Sequence, residues 1–211
     1  MFKKFLTAMS VFFVSAAVHA QTPVQALDAH LSATKNFQAD FTQSTNSSQF
    51  GMQTSQGDMS IQRPGKFRWH VKDPDNQLLI SNGEILWIYD QDLEQVIIQP
   101  VSGRLDETPA LLLAGEVDSL EEFFTVTTIK SENPGFWYEL TALDQEGLVN
   151  KVILGFNSQN IIQEMQIYDN LDQRTDILFS NAIANVNLPS DYFSFTPPAG
   201  IDVISELPES E

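Results

Sequence analysis

The side chains able to do acid–base or metal chemistry are few and scattered. Of the three histidines, His19 lies in an apolar N-terminal run, and His30 and His70 stand far apart without a metal-like spacing. Each of those two reads as an ordinary surface imidazole, one on a helix and one on a strand. Glu121-Glu122 and the pair Asp73/Asp75 are acids of the kind that form solvated faces. Two carboxylates for glycosidic-bond hydrolysis can still be assembled from distant strands, and spacing alone leaves that open. No Gly-x-Ser-x-Gly elbow, phosphate loop or His-Glu-x-x-His occurs. With no cysteine, the protein owes nothing to disulfides or thiolate metal sites. The residues point away from an enzyme and call for no metal and no cofactor.

What the chain does have in quantity is large apolar side chains at regular spacing. Phe37, Ala39 and Phe41 alternate with Gln38, Asp40 and Thr42, and Phe67, Trp69 and Val71 alternate with Lys66, Arg68, His70 and Lys72. Leu78 to Ile80 and Ile85 to Tyr89 flank Asn82-Gly83, a hairpin signal because both residues tolerate positive φ. Further strand-like runs are Val96–Gln99, Phe124–Ile129, Phe136–Thr141, Val149–Phe156, Ile161–Tyr168, Asp176–Ser180 and Ile183–Leu188. Their connections are short, so the strands are mostly antiparallel neighbours. About ten strands in one sheet demand curling or closure, and a strongly curved sheet or barrel is expected.

Three helical starts accompany this pattern, one before the strands and two between them. Thr22-Pro23-Val24-Gln25 offers a capping threonine, a first-turn proline and a glutamine three residues on. Val24, Leu27 and Leu31 then share one face. Thr108-Pro109 opens a second start, and Ala110 to Ala114 is apolar all round, so it must be covered on several sides. Ser119-Leu120-Glu121-Glu122 is another capping box, with Leu120, Phe123 and Phe124 at helical spacing. These pieces fit across the mouth of the curved sheet as a lid over a greasy interior. Phe41, Met59, Phe67, Trp69 and Trp87 are candidates to line that interior, with Leu27, Leu31, Leu111 and Leu112 as its ceiling. From alternation alone, ordinary packed core explains the same residues.

Met1 to Ala20 has the plan of a cleavable secretory signal: Lys3 and Lys4, an apolar run from Phe5 to Val18, and Val18-His19-Ala20 before the cut. Losing it removes two lysines and no acids, taking the net charge from −17 to −19. A surface so acidic repels phosphates, which excludes nucleic acid and basic-patch docking on anionic lipid. Residues 21–211 have a length suited to one domain. Its apolar surface is expected to fold inward, giving a monomer.

Gly57-Asp58-Met59-Ser60-Ile61-Gln62-Arg63-Pro64-Gly65-Lys66-Phe67-Arg68-Trp69-His70 resembles the periplasmic outer-membrane lipoprotein carrier family, LolA. So do Phe37 to Gln43, Ser81-Asn82-Gly83 with Leu86 to Tyr89, Thr108-Pro109, and the ending Phe193-Ser194-Phe195-Thr196-Pro197-Pro198-Ala199-Gly200. The matches run in order across almost all of 21–211. The resemblance implies an incomplete, strongly curved antiparallel barrel, lidded by helices, around an apolar cavity. It implies a chaperone in the periplasm of a Gram-negative bacterium, carrying lipoproteins by their acyl chains. Its partners would be an inner-membrane ABC transporter (the Lol complex) and the outer-membrane lipoprotein receptor LolB. It also makes Arg63 the lid latch, reaching backbone carbonyls of the lid helices. The absence of cysteine favours the soluble carrier over the receptor, itself a lipoprotein. A general periplasmic lipid-binding or lipid-sensing protein is the competing reading. At about 0.8 kcal/mol per buried methylene, one acyl chain of about sixteen carbons carries about 12 kcal/mol of aversion to water. A cargo of that kind needs an enclosed apolar pocket and no catalytic group.

Overall fold

Long runs of alternating side chains drive most of the chain into a single sheet. The computed structural model describes residues 21–48, 51–101, 109–115, 120–144, 147–171 and 173–208. The expected signal, Met1–Ala20, and the expected capping residues Thr108 and Ser119 lie outside the described residues. Helix α1 (Pro23–Ser32) begins with the expected capping box: Gln25 N–H donates to Thr22 Oγ1, and Thr22 N–H donates to Gln25 Oε1.

Strands β1 (Asn36–Ser47), β2 (Gly51–Gln62), β3 (Lys66–Asp73), β4 (Gln77–Asn82), β5 (Ile85–Asp90) and β6 (Gln95–Pro100) follow as a meander. Two short helices come next, α2 (Pro109–Ala114) and α3 (Leu120–Phe123). A second meander holds β7 (Phe124–Ile129), β8 (Phe136–Ala142), β9 (Val149–Phe156), β10 (Ile162–Asp169) and β11 (Arg174–Ala184). β12 (Asp202–Ser205) ends the order β12-β6-β5-β4-β3-β2-β1-β11-β10-β9-β8-β7. Every pairing is antiparallel except that of β12 with β6.

The sheet is open, with β12 and β7 at its edges, and it is rolled. Flat, β2 and β8 would stand five strand spacings apart, about 24 Å. Yet the adjacent helix residues His30 and Leu31 touch both regions. The His30 ring lies 4.4 Å from that of Phe136 on β8, and the Leu31 carbonyl is bonded to Arg63, which follows β2. Only a strongly curved sheet brings those ends onto one helix.

Alternation marks about ten strands, and the described residues form twelve. β2 escapes it because Gly51 to Gln56 is polar and mostly exposed. β12 is short and exposed throughout. The two runs expected at Asp176–Ser180 and Ile183–Leu188 are instead one strand, β11, which ends at Ala184 before Asn185 takes a positive φ. At the β4–β5 hairpin only Gly83 has positive φ, at 98°. Asn82 remains in the strand and uses its side chain to accept from the N–H groups of Glu84 and Ile85.

The sheet has two apolar faces. The concave one holds the main core, shared by α1, α2 and nearly every strand. The convex one carries Leu78, Ile80, Trp87 and Val96, covered by Phe195 and Ile201 from the segment after β11. The Phe-x-Phe-x-Pro-Pro-x-Gly ending thus folds back over the outside of β4–β6, with Phe195 5.4 Å from the Tyr89 ring.

Gly57 is required by packing. At Gly57 an added Cβ would fall 1.8 Å from the His70 carbonyl oxygen and 2.9 Å from the Phe41 ring. Gly57→Ala must therefore push β3 or the Phe41 ring aside, at a cost of about 1–3 kcal/mol. A urea titration should show the midpoint falling; an unchanged midpoint would mean that β2 and β3 separate freely at this point.

Candidate binding chamber and its latch

Most of the expected lining converges. Phe41, Met59, Phe67, Trp69, Leu27, Leu31, Leu111 and Leu112 are all buried in the concave core. Phe41 stacks on Trp69 with ring centroids 4.2 Å apart, and Phe179 meets Trp69 edge-on at 6.4 Å. Trp87 does not belong to the set. It sits on the convex face, because Leu86 and Ile88 take the inward positions of β5 and period two turns Trp87 outward. The five consecutive apolar residues from Ile85 to Tyr89 show no alternation from which that face can be read.

The concave side is filled rather than empty. Ala110, Leu111, Leu112, Leu113 and Ala114 are all buried: α2 lies inside the roll, over β2 and β3. The helix without a polar face is covered on several sides, as its composition demands. α1 lies beside it against β7, burying Leu27 and Leu31.

One turn, Arg63-Pro64-Gly65 between β2 and β3, holds both helices. The last four carbonyls of any helix lack partners within it and carry partial negative charge. Arg63 Nη1 donates to the Leu31 carbonyl at 2.9 Å and the Thr34 carbonyl at 2.7 Å, at the end of α1. Gly65 N–H donates to the Ala114 carbonyl at 2.7 Å, at the end of α2. The guanidinium thus grips α1, whereas the link to α2 is a backbone bond two residues on. Ser81, fully buried, donates to the Gly65 carbonyl at 2.8 Å and fixes the turn from β4. Burial lowers the Arg63 pKa to about 10, so the group stays charged at neutral pH. Its Nε is buried and has no partner among the described residues.

Two parts of this device are absent from the sequence reading. Ser81 stands in the hairpin motif, where it looks like a turn residue. His30 is more than a surface imidazole: it stacks on Phe156 at 5.5 Å and touches Phe136 and Tyr138. Its Nδ1 is buried and has no hydrogen-bond partner among the described residues. His70 lies on the opposite face of the sheet, its Nε2 2.9 Å from Asn76 Oδ1. Asp73, Asp75, Glu121 and Glu122 are exposed. Among the described residues no three His, Asp or Glu side chains converge as metal ligands would.

Residues 32–196 match the family model described as outer membrane lipoprotein carrier protein LolA. A protein of Nitrosospira multiformis named outer-membrane lipoprotein carrier protein is 36% identical over 205 residues, covering 97% of this chain and 98% of its own. A protein of the same name from Pseudomonas paraeruginosa is 38% identical, with 96% and 97% covered. Among solved structures, a LolA superfamily protein from Nitrosomonas europaea superposes with a TM-score of 0.50 at 15% identity, over 85% of this chain and 99% of that one. An uncharacterized conserved protein from Thermus thermophilus gives 0.55 at 11%, over 86% and 98%. At those identities the two share the fold.

The His30 environment makes the docking of α1 depend on pH. Burial lowers its pKa below 6.5, and the nearby Asn160 side chain offsets this in part. The rings around it are uncharged, since burial also raises the Tyr138 hydroxyl. A base with a depressed docked-state pKa takes up its proton more readily once released. Docking is therefore strongest above about pH 6.5 and weakens below it. Hydrogen exchange of α1 amides, corrected for intrinsic rate, should lose protection relative to β9 and β10 between about pH 7.5 and 5.5. His30→Phe should flatten that difference, and an identical pH response in the variant would assign it elsewhere.

Proposed function

From the premise that the chain belongs to the outer membrane lipoprotein carrier family, LolA, we propose that the concave chamber holds acyl chains when α1 and α2 are displaced from it. The chain is a lipoprotein carrier, a chaperone rather than an enzyme. Met1–Ala20 is its export signal, 21–211 its single working domain, and the periplasm of a Gram-negative bacterium its place of work. It receives cargo from an inner-membrane ABC transporter of the Lol type and surrenders it to an outer-membrane receptor of the LolB type, acting as a monomer. The observation that carries this reading is the filling of the chamber by its own helices. An apolar interior plugged by short helices, tied down at two carbonyl ends, is suited to exchange.

The magnitudes support exchange over permanent closure. Burying a leucine is worth about 1.5–3 kcal/mol, so Leu27, Leu31, Leu111, Leu112 and Leu113 together contribute about 8–15 kcal/mol. That is close to the value of one long acyl chain, about 12 kcal/mol. For one such chain the trade is near balance, so the helices offset the entry of a chain without any nucleotide on this protein. The two Arg63 bonds, together about 2–5 kcal/mol, favour the empty state and so help expel the cargo.

Two outcomes follow. Arg63→Leu should fold normally, accept a lipoprotein and hold it. A variant that passes cargo to a receptor at the unaltered rate would remove Arg63 from the cycle. On loading with a triacylated lipopeptide, amides of Ala110–Ala114 and of Val24–Leu31 should change protection far more than those of β9 and β10. A uniform change would mean stabilisation of the whole fold, and the displaced-helix reading would fall.

A further inference from the structure

The concave face is not apolar along its whole length. Inward positions on β1 pass from Phe37, Ala39 and Phe41 to Gln43 and Thr45, and their partners on β2 pass from Ile61, Met59 and Gly57 to Ser55 and Gln53. With Val71, Gln77 and Asp90 from β3, β4 and β5, these side chains line an open cleft of about 520 Å³. Pro74 and Asp75 stand at its rim. Val71 also packs against the main core, so the cleft continues directly from the apolar chamber. Thr45 is bonded to Thr175 at 3.0 Å. Asp90 Oδ1 accepts from the N–H groups of Asp92 and Leu93. The side chains of Gln43, Gln53, Ser55 and Gln77 make no hydrogen bond to another described residue.

We infer that this cleft holds the first residues of the cargo polypeptide, extended and uncharged or basic, where they leave the acylated terminus. The inference rests on the carrier reading. If acyl chains occupy the chamber, the polypeptide joined to them must cross its rim. Backbone N–H and C=O groups crossing an apolar rim would lose their partners at a cost. Glutamine, threonine and serine side chains donate and accept alike, so they serve the backbone of any sequence. From β5 to β1 the cleft spans at most about 19 Å, room for about five extended residues. Charge sets the preference: the lining holds Asp75 and Asp90 and neither lysine nor arginine. An acidic tether meets like charge there.

The test uses the mature protein and three synthetic lipopeptides with the same triacylated N-terminal cysteine. Their next residues are serine and glutamine, or include lysine, or include aspartate. Affinity is read by displacement of a fluorescent long-chain alkyl probe. The aspartate tether should bind about threefold to tenfold more weakly than the neutral one at low salt. The gap should close in the double variant Asp75→Asn/Asp90→Asn. Gln43→Ala with Gln77→Ala should weaken all three lipopeptides while leaving the alkyl probe unaffected. Equal affinities for the three tethers, or a gap that survives in the asparagine variant, would overturn the inference and leave the carrier reading standing. If the alkyl probe binds but no lipopeptide displaces it, the carrier reading and this inference fall together.

Discussion

Helix ends are where this structure is held and where it can be undone. Two short helices finish inside or beside a rolled sheet, and each leaves carbonyls that water cannot easily reach. The Arg63-Pro64-Gly65 turn supplies the missing donors to both, one from a side chain and one from the backbone. Because a single turn does this, α1 and α2 are coupled without touching the rest of the sheet's hydrogen bonding. Ser81 then decides the geometry of both contacts, since it anchors the Gly65 carbonyl from the neighbouring strand. Stability at this point is local, and loosening it does not require unpairing a strand.

The remainder of the fold makes that local device possible. Among the described residues, twelve strands pair into one sheet whose backbone hydrogen bonds run strand to strand, without the helices. Its convex side needs no chamber and is sealed by the chain's own ending, which packs Phe195 and Ile201 onto Leu78, Ile80 and Trp87. The main core lies on the concave side, where the covering helices are short. A six-residue helix such as α2 has almost no stability of its own, so its conformation depends on the wall it fills. Rigid wall and dependent plug come from the same sequence by a change of period.

Legibility followed the range of the interaction. The α1 capping box could be read from Thr22, Pro23 and Gln25 because all its partners lie within one turn. The inward set around Phe41, Phe67 and Trp69 was legible because alternation is also local. Trp87 was assigned to the wrong face: five apolar residues in a row carry no phase, and its cover comes from residues more than a hundred positions away. β2 stayed hidden because its outer half pairs through backbone bonds with polar side chains that show no pattern. The role expected of Arg63 comes from resemblance to a family, and the carbonyls it meets at the end of α1 depend on the roll of the sheet. His30 looked like a solitary imidazole because the rings it meets lie on strands more than a hundred residues on.

The choice of partner for Arg63 bears on reversibility. With 28 acidic residues against 11 basic ones, a carboxylate partner was abundantly available. A buried ion pair would be costly to form and costly to break, since separating it strands a charge on each side. Helix carbonyls offer only about half an elementary charge, and when the helix leaves they are satisfied by water at once. A contact made from one ion and two backbone dipoles therefore leaves only one charge to resolvate if it is broken, where an ion pair would leave two.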